Sequence, residues 1–190
     1  RSTINYVTHD YREALALSDR VIVLRKGRIE QEGTPEEIYY SPASDFVGRM
    51  VGEPPMNLLD GEIEERDGKF FFKVDESFTI PVHNALIPSL KSAIRMEKEK
   101  PCTRLGIRCE YIKMSREKIS EESFQLPVYA IVHEAEGSLV TFQLKKDMFL
   151  YARSRQAGFC DYKPSDKIWL EFDQQNMFFF PKTIELASKS

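Results

Sequence analysis

Residues 58–74 read Leu58-Leu59-Asp60-Gly61-Glu62-Ile63-Glu64-Glu65-Arg66-Asp67-Gly68-Lys69-Phe70-Phe71-Phe72-Lys73-Val74. Two β-forming runs, Leu58 to Glu65 and Phe70 to Val74, flank Asp67-Gly68. A two-residue Asp-Gly connection is a strong hairpin signal, because both residues accept the positive φ that matches the twist of the flanking strands. Outward from this hairpin, Phe78–Val82 adds a strand, and Pro88–Lys98 reads as a helix with Leu90, Ala93 and Ile94 as its apolar positions. The run Glu97-Lys98-Glu99-Lys100 is expected to be the solvated end of that helix, with Pro101 behind it. Further strands are predicted over Thr103–Arg108, Gln125–Glu134, Leu139–Leu144, Met148–Arg153, Lys167–Phe172 and Met177–Phe180, with a turn at Glu136-Gly137.

Short strands at hairpin spacing predict a mainly β unit, a small barrel or sandwich, and a five-stranded OB-like barrel fits the length. Twelve of the 13 Phe residues lie beyond residue 60, as a β core requires. The earlier part of the chain has a different texture. Thr3–Thr8 is a short β-rich run; His9 follows it, and Asp10 is placed to cap a helix over Tyr11–Ser18, with Glu13 folding back in a capping box. Arg20–Arg25, Lys26-Gly27 and Arg28–Glu32 predict a second hairpin. Thr34, Pro35 and Glu37 open a short helix to about Tyr40. Ser41-Pro42 breaks it, and Ser44–Val51 forms another helix with Phe46, Val47, Met50 and Val51 on one side. Glu53-Pro54-Pro55 cannot continue a helix. Two domains are therefore expected, a short α/β piece over 1–55 and a β-rich domain over 56–190.

The chain has 190 residues, 42% of them apolar and 30% charged, which is ordinary for a folded globular protein. No apolar run approaches the ~18–20 residues needed to cross a bilayer, and Arg1-Ser2-Thr3 opens no signal peptide, so neither a membrane span nor a targeting segment is expected. Cys102, Cys109 and Cys160 are odd in number and form no CxxC pair, so no disulfide framework or zinc site is indicated, and a reducing compartment suits them. The net charge is −3. Residues 1–60 hold 7 basic and 10 acidic side chains, which leaves 20 of each for residues 61–190. A balanced β domain lacks the positive track that an OB module would use to bind nucleic acid, and a nucleic-acid partner is not expected.

His9 is the sharpest single candidate. A histidine at the carboxyl end of a strand and before a capped helix sits where open α/β sheets bind ligands, and its neutral imidazole can donate to a phosphate oxygen. Tyr6-Val7-Thr8-His9-Asp10 with Glu13-Ala14-Leu15-Ala16-Leu17-Ser18-Asp19-Arg20 resembles the switch region of ABC transporter ATPases. Gly27–Tyr39, with Pro42 and Phe46-Val47, resembles the end of that ATPase domain in importers. Val51-Gly52-Glu53-Pro54-Pro55-Met56-Asn57 is similar to the hinge into the regulatory domain of the maltose-importer-like subfamily, and Leu105-Gly106-Ile107-Arg108-Cys109-Glu110 to the Gly-Ile-Arg-Pro-Glu motif of that domain. Glu134–Leu144 and Met177–Glu185 carry the likeness further.

The resemblance implies the C-terminal part of the ATP-hydrolysing subunit of a solute importer, for carbohydrate, with an OB-like transport-associated regulatory domain after residue 55. It implies that His9 contacts the γ-phosphate of ATP, that ATP and Mg²⁺ serve the intact subunit, and that Gly106, Ile107, Arg108 and Glu110 form a regulatory motif. It also implies a cytoplasmic subunit at the inner face of the membrane. Its partners would be a second copy, the permease subunits and a regulatory protein or small ligand. Cys109 stands where the motif has proline, and Phe178-Phe179-Phe180-Pro181 where the subfamily often has His-Leu-Phe-Asp. Both changes limit the contacts that carry over.

The nucleotide machinery itself is missing from these residues. A phosphate loop needs GxxxxGK[ST], and the only Gly-Lys pair, Gly68-Lys69, is followed by Phe70. The signature loop, the glutamine loop and the Walker B strand are absent too, so these 190 residues alone are expected neither to bind ATP tightly nor to hydrolyse it. Phe70–Val74 with Asp75-Glu76 imitates a Walker B strand, but it follows His9 where the family's strand precedes it, and it reads as an ordinary hairpin. His83 and His133 have no ligand partners at metal spacing. Glu134 and Glu136 read as solvated strand ends, and Trp169 and Phe178–Phe180 as core packing. A small-ligand sensor is the competing reading of the β domain.

Overall fold

The structure is a computed structural model that describes residues 3–76, 78–97, 100–135, 137–154 and 160–182. The chain packs into two compact units, Arg1–Met56 and Asn57–Ser190. Among the described residues, no helix is long and apolar enough to cross a membrane.

In the smaller unit, α1 (Tyr11–Leu17) is followed by the hairpin β1 (Val21–Arg25) and β2 (Arg28–Gly33), then α2 (Pro35–Tyr40) and α3 (Asp45–Met50). Lys26 and Gly27 take φ of 49° and 75°, as the tight turn requires. The box on α2 forms as its sequence dictates: Thr34 Oγ1 accepts the Glu37 N–H at 3.3 Å, and the Glu37 carboxylate accepts the Thr34 N–H at 2.8 Å. Val23, Ile38, Val47 and Val51 are the buried core. Met50 is a correction, because it is 40% exposed and lies outside that core. Thr3–Val7 is a second: these residues are exposed and form no strand. β-rich composition does not suffice without a neighbouring ladder, since a strand leaves its backbone donors and acceptors unpaired until another strand supplies partners.

Among the described residues the larger unit contains eleven strands: β3 (Asn57–Arg66), β4 (Lys69–Asp75), β5 (Phe78–Val82), β6 (Arg95–Glu97), β7 (Lys100–Ile107), β8 (Ile112–Ser115), β9 (Phe124–Glu134), β10 (Gly137–Lys145), β11 (Met148–Ser154), β12 (Lys167–Phe172) and β13 (Met177–Phe180). Its helix α4 spans Ile87–Ala93. One sheet runs β11-β10-β9-β12-β8, and the other β13-β7-β3-β4-β5 with β6 also on β7. All pairings are antiparallel. In the five-stranded sheet the edge strands β8 and β11 lie beside each other, so the sheet curls towards a small barrel. The mainly β expectation therefore holds, with a six-stranded sheet in addition to a curled five-stranded one.

Two details depart from the sequence reading. The predicted helix to Lys98 ends at Ala93, and Arg95–Glu97 pairs with Lys100–Cys102 as a hairpin, so Glu97 and Lys100 are strand residues. β6 pairs along the edge of β7 away from β3, next to β13, and that ladder outweighs the helical preference of the charged run. β8, a four-residue strand with one buried side chain, Ile112, was not anticipated.

Both sheets close on one core that contains Leu59, Phe72, Leu105 and Ile107 from one sheet and Val140, Phe142, Leu150, Ile168 and Leu170 from the other. Gly61 shows how tightly it is filled. A Cβ there would lie 2.5 Å from Phe72 Cζ and 2.7 Å from the Lys73 carbonyl oxygen. Phe72 has no exposed surface and the Lys73 carbonyl is backbone, so neither can step aside. Gly61→Ala is therefore expected to destabilise the protein by ~2 kcal/mol, read as a fall in the denaturation midpoint at unchanged slope. An unchanged midpoint would show that β3 and β4 can separate at no cost.

Candidate functional site

Around His9 the chain is fixed by a short-range polar net. Thr8 Oγ1 accepts the Asp10 N–H at 3.0 Å and donates to Glu13 Oε2 at 2.9 Å, which also accepts from the Tyr6 hydroxyl at 3.0 Å. Asp10 caps α1 by accepting the Arg12 N–H at 2.9 Å. The expected capping box is thus replaced: Glu13 turns to the two hydroxyls, and Thr8 takes the Asp10 N–H that the box would have assigned to it. The side-chain and backbone hydrogen bonds from Arg12 hold the Asp10 carboxyl below its ordinary range, and the Glu13 carboxylate pushes the Tyr6 phenol up. His9 is exposed at the bend between these anchors. Its expected place at the carboxyl end of a strand is not formed, because Thr3–Val7 is not a strand.

The second candidate begins in β7. Leu105, Gly106 and Ile107 are paired on both sides, with Gly106 between Leu58 of β3 and Phe178 of β13. Ile107 is in the core, and Arg108 beyond it is 3% exposed. Cys109–Tyr111 forms a 3-10 turn closed by the Tyr111 N–H donating to the Arg108 carbonyl at 3.1 Å. Cys109 is the first residue of that turn, a position that needs no amide donor, and Arg108 has ψ 152°, the region favoured before proline. The departure from proline at 109 is therefore compatible with this same turn.

Charges collect beside the turn. Cys109 Sγ lies 3.4 Å from Glu110 Oε2, and burial, followed by the negative charge of Glu110 and this contact, pushes the Cys109 thiol up to about 12. Arg153 of β11 acts in the opposite direction on the thiol and forms an ion pair with Glu134 of β9 at 3.1 Å. The motif thus meets a charged pair from strands that follow it in the chain by tens of residues. In the sequence Glu134 reads as a strand-end carboxylate, and nothing local to Ala152-Arg153-Ser154 signals a partner in β9.

Asn57 joins this region to the rest of the unit. Its Nδ2 donates to the carbonyls of Ile107 at 3.1 Å and Tyr151 at 2.9 Å, and its Oδ1 accepts the Tyr151 N–H at 2.7 Å. One buried carboxamide therefore pairs with both backbone groups of Tyr151, as a neighbouring strand residue would, and ties β11 to β7. The other residues considered earlier have structural partners. Asp75 pairs with Lys145 and Glu76 with Lys73, so the Walker B imitation is one strand of a hairpin. His83 contacts Glu122 at 3.1 Å, and His133 Nδ1 lies 3.0 Å from the buried Ser138 hydroxyl. Phe179 packs on Phe72, and Phe178 stacks with Phe180. Trp169 in β12 is half-buried beneath Lys118. Glu136 lies outside the described residues. Among the described residues no group of three or more His, Cys, Asp and Glu is placed to hold a metal ion.

No family model matches the chain. The ABC transporter ATP-binding protein YurJ of Bacillus subtilis is 33% identical over 191 residues, covering 98% of this chain and 49% of its own length. The relatives of this chain are ABC transporter ATP-binding proteins. The sn-glycerol-3-phosphate import ATP-binding protein UgpC of Chromobacterium violaceum is 45% identical over 98 residues, 50% of this chain and 26% of that protein. The family member y4oS of Sinorhizobium fredii is 30% identical over 171 residues, 88% of this chain and 40% of its own. The chain spans about half the length of YurJ, the relative it matches most completely among these three. Among solved structures, the cytoplasmic molybdate-binding protein ModG superposes with a TM-score of 0.45 at 12% identity, over 66% of this chain and 95% of that one. That superposition carries no weight for the fold or for a ligand.

The thiol at 109 supplies a test of the motif's environment. Well below its ordinary value of 9.0 it is protonated whether or not the chain is folded. Between 9.0 and about 12 the unfolded chain ionises it while the folded chain does not, so its contribution to stability is lost as pH rises through that window. At pH 8.5 the half-exposed Cys160 is expected to alkylate well before Cys109, followed by mass spectrometry of the native protein. Equal rates would show that the turn is open.

Proposed function

We propose that these residues are the C-terminal part of the ATP-hydrolysing subunit of an ABC importer, with 1–55 the end of its nucleotide-binding domain and 56–190 a regulatory domain. The observation that carries this reading is the YurJ alignment, which takes in 98% of the chain and therefore runs through both compact units. In the intact subunit, closure of the nucleotide-binding domains brings His9 against the γ-phosphate of ATP, where a neutral imidazole donates to a phosphate oxygen. The net of Thr8, Asp10 and Glu13 sets the backbone on either side of it. The phosphate loop and the Mg²⁺ carboxylates are not in this sequence, so ATP and its metal ion are assigned to the parts of the subunit outside these residues.

Ile4, Val7, Ile22 and Leu24 are between 54% and 92% exposed. Under this reading the remainder of the ATPase domain covers them. The larger unit, carrying the Gly106–Glu110 motif, pairs two copies of the subunit and receives a regulatory protein or ligand. The subunit works at the cytoplasmic face of the membrane against permease subunits. Its solute is a small polyhydroxylated compound, a carbohydrate or, as for the sn-glycerol-3-phosphate import protein UgpC, a glycerol phosphate.

In the full-length subunit assembled with its permease, His9→Ala is expected to lower ATP hydrolysis ~10²-fold while nucleotide binding and assembly persist. Hydrolysis at the original rate would remove His9 from the reaction. A sizing-column light-scattering mass near twice 22.1 kDa is expected for the 190-residue chain, and a monomer at every concentration would exclude pairing through these residues alone.

A further inference from the structure

One hydroxyl encloses His9. Thr8 Oγ1 accepts the Asp10 N–H at 3.0 Å, so the backbone between them closes into a turn with His9 at its centre. The same oxygen donates to Glu13 Oε2 at 2.9 Å, and the Tyr6 hydroxyl donates to that carboxylate oxygen at 3.0 Å. We propose that Thr8 and Glu13 are positioning residues for His9: the carboxylate orients the Thr8 hydroxyl, and the hydroxyl fixes the backbone from which the imidazole projects. This role rests on the importer reading, in which His9 meets the γ-phosphate of ATP.

The direction of each hydrogen bond follows from the groups present. A carboxylate accepts and does not donate, so the single proton of the Thr8 hydroxyl is committed to Glu13 and its lone pairs face the Asp10 N–H. Without Glu13 the hydroxyl could turn its proton elsewhere. Tyr6 holds the carboxylate from a second side; its hydrogen bond to Glu13, followed by the Glu13 charge, pushes the phenol up and keeps it a donor. Beyond the turn Asp10 belongs to α1, since its carboxylate accepts the Arg12 N–H at 2.9 Å and its carbonyl accepts the Ala14 N–H at 3.2 Å. His9 thus stands between two held neighbours. Thr8 Oγ1 is bonded directly to Cβ, so a single torsion relates it to the backbone that it fixes. Glu13 and Tyr6 are exposed, and exposed polar contacts add little to stability. The net is therefore to be read in turnover, where a misplacement of about 1 Å in a reacting group costs as much as ~10²-fold.

ATP hydrolysis by the full-length subunit assembled with its permease tests this. Thr8→Val keeps the shape of the side chain and removes both hydrogen bonds. It is expected to lower kcat ~10-fold, with KM for ATP, assembly and the thermal midpoint unchanged. Thr8→Ser, which keeps the hydroxyl, is expected to recover all but ~2-fold of the rate. Glu13→Ala, which leaves the hydroxyl unoriented, is expected to lower kcat ~3-fold to ~10-fold. In a His9→Ala background neither Thr8→Val nor Glu13→Ala is expected to slow the residual hydrolysis further, because a residue that acts through His9 has nothing left to position. Three results would each overturn the proposal while leaving His9 its role: an undiminished kcat in Thr8→Val when His9→Ala slows hydrolysis, Thr8→Ser as slow as Thr8→Val, or a further ~10-fold fall in the His9→Ala background. His9→Ala at the original rate would instead remove the importer role of His9, and the positioning role with it.

Discussion

The inner faces of both sheets in the larger unit close on a single apolar interior, with Phe72 filling it from one sheet and Phe142 from the other. Burial of continuous apolar surface is the dominant stabilising contribution in a domain of this kind, and close packing makes it sensitive to single atoms. Gly61 lies where it does because the Phe72 ring occupies the space a side chain would need. Leu105 and Ile107 are drawn to the same interior, which places Arg108 and Glu110 immediately beyond the end of β7. The charged cluster of the motif is thus positioned by hydrophobic packing and linked to β11 by one carboxamide.

The smaller unit is organised differently. Four buried aliphatic side chains form its core, while several apolar residues of comparable size face outward. Local devices carry much of the order that burial does not supply: a tight turn at Lys26-Gly27, a capping box at Thr34, and the hydroxyl and carboxylate net before α1. Such features define segments well, but each contributes only ~1 kcal/mol, far less than a large core.

Elements governed by neighbours in sequence were legible from the residues, and those governed by distant partners were not. Asp67-Gly68 and Lys26-Gly27 announced their hairpins because positive φ is a local demand. β6 and β8 passed unnoticed, since Arg95-Met96-Glu97 and Ile112-Lys113-Met114-Ser115 are short, mixed in polarity and stabilised by ladders to other strands. Thr3–Val7 failed in the opposite sense, having the composition of a strand with no ladder to join. The same division runs through the candidate site. Gly106, Ile107, Arg108 and Glu110 were readable as a motif, whereas Arg153 and the clasp of Asn57 on Tyr151 depend on contacts formed only after folding.

The last described strand, β13, occupies a structural rather than peripheral place. It pairs with β7, sends Phe179 against Phe72, and has its Phe180 carbonyl accepting the buried Thr103 hydroxyl at 2.9 Å. During synthesis the chain emerges in order, so β3 and β4 leave the ribosome long before residues 177–180 exist to complete their sheet. Until then β7 presents an open edge, and part of the core has no cover. The domain therefore matures late, and its exposure to proteases and chaperones is set by the time needed to translate and release the intervening hundred or so residues.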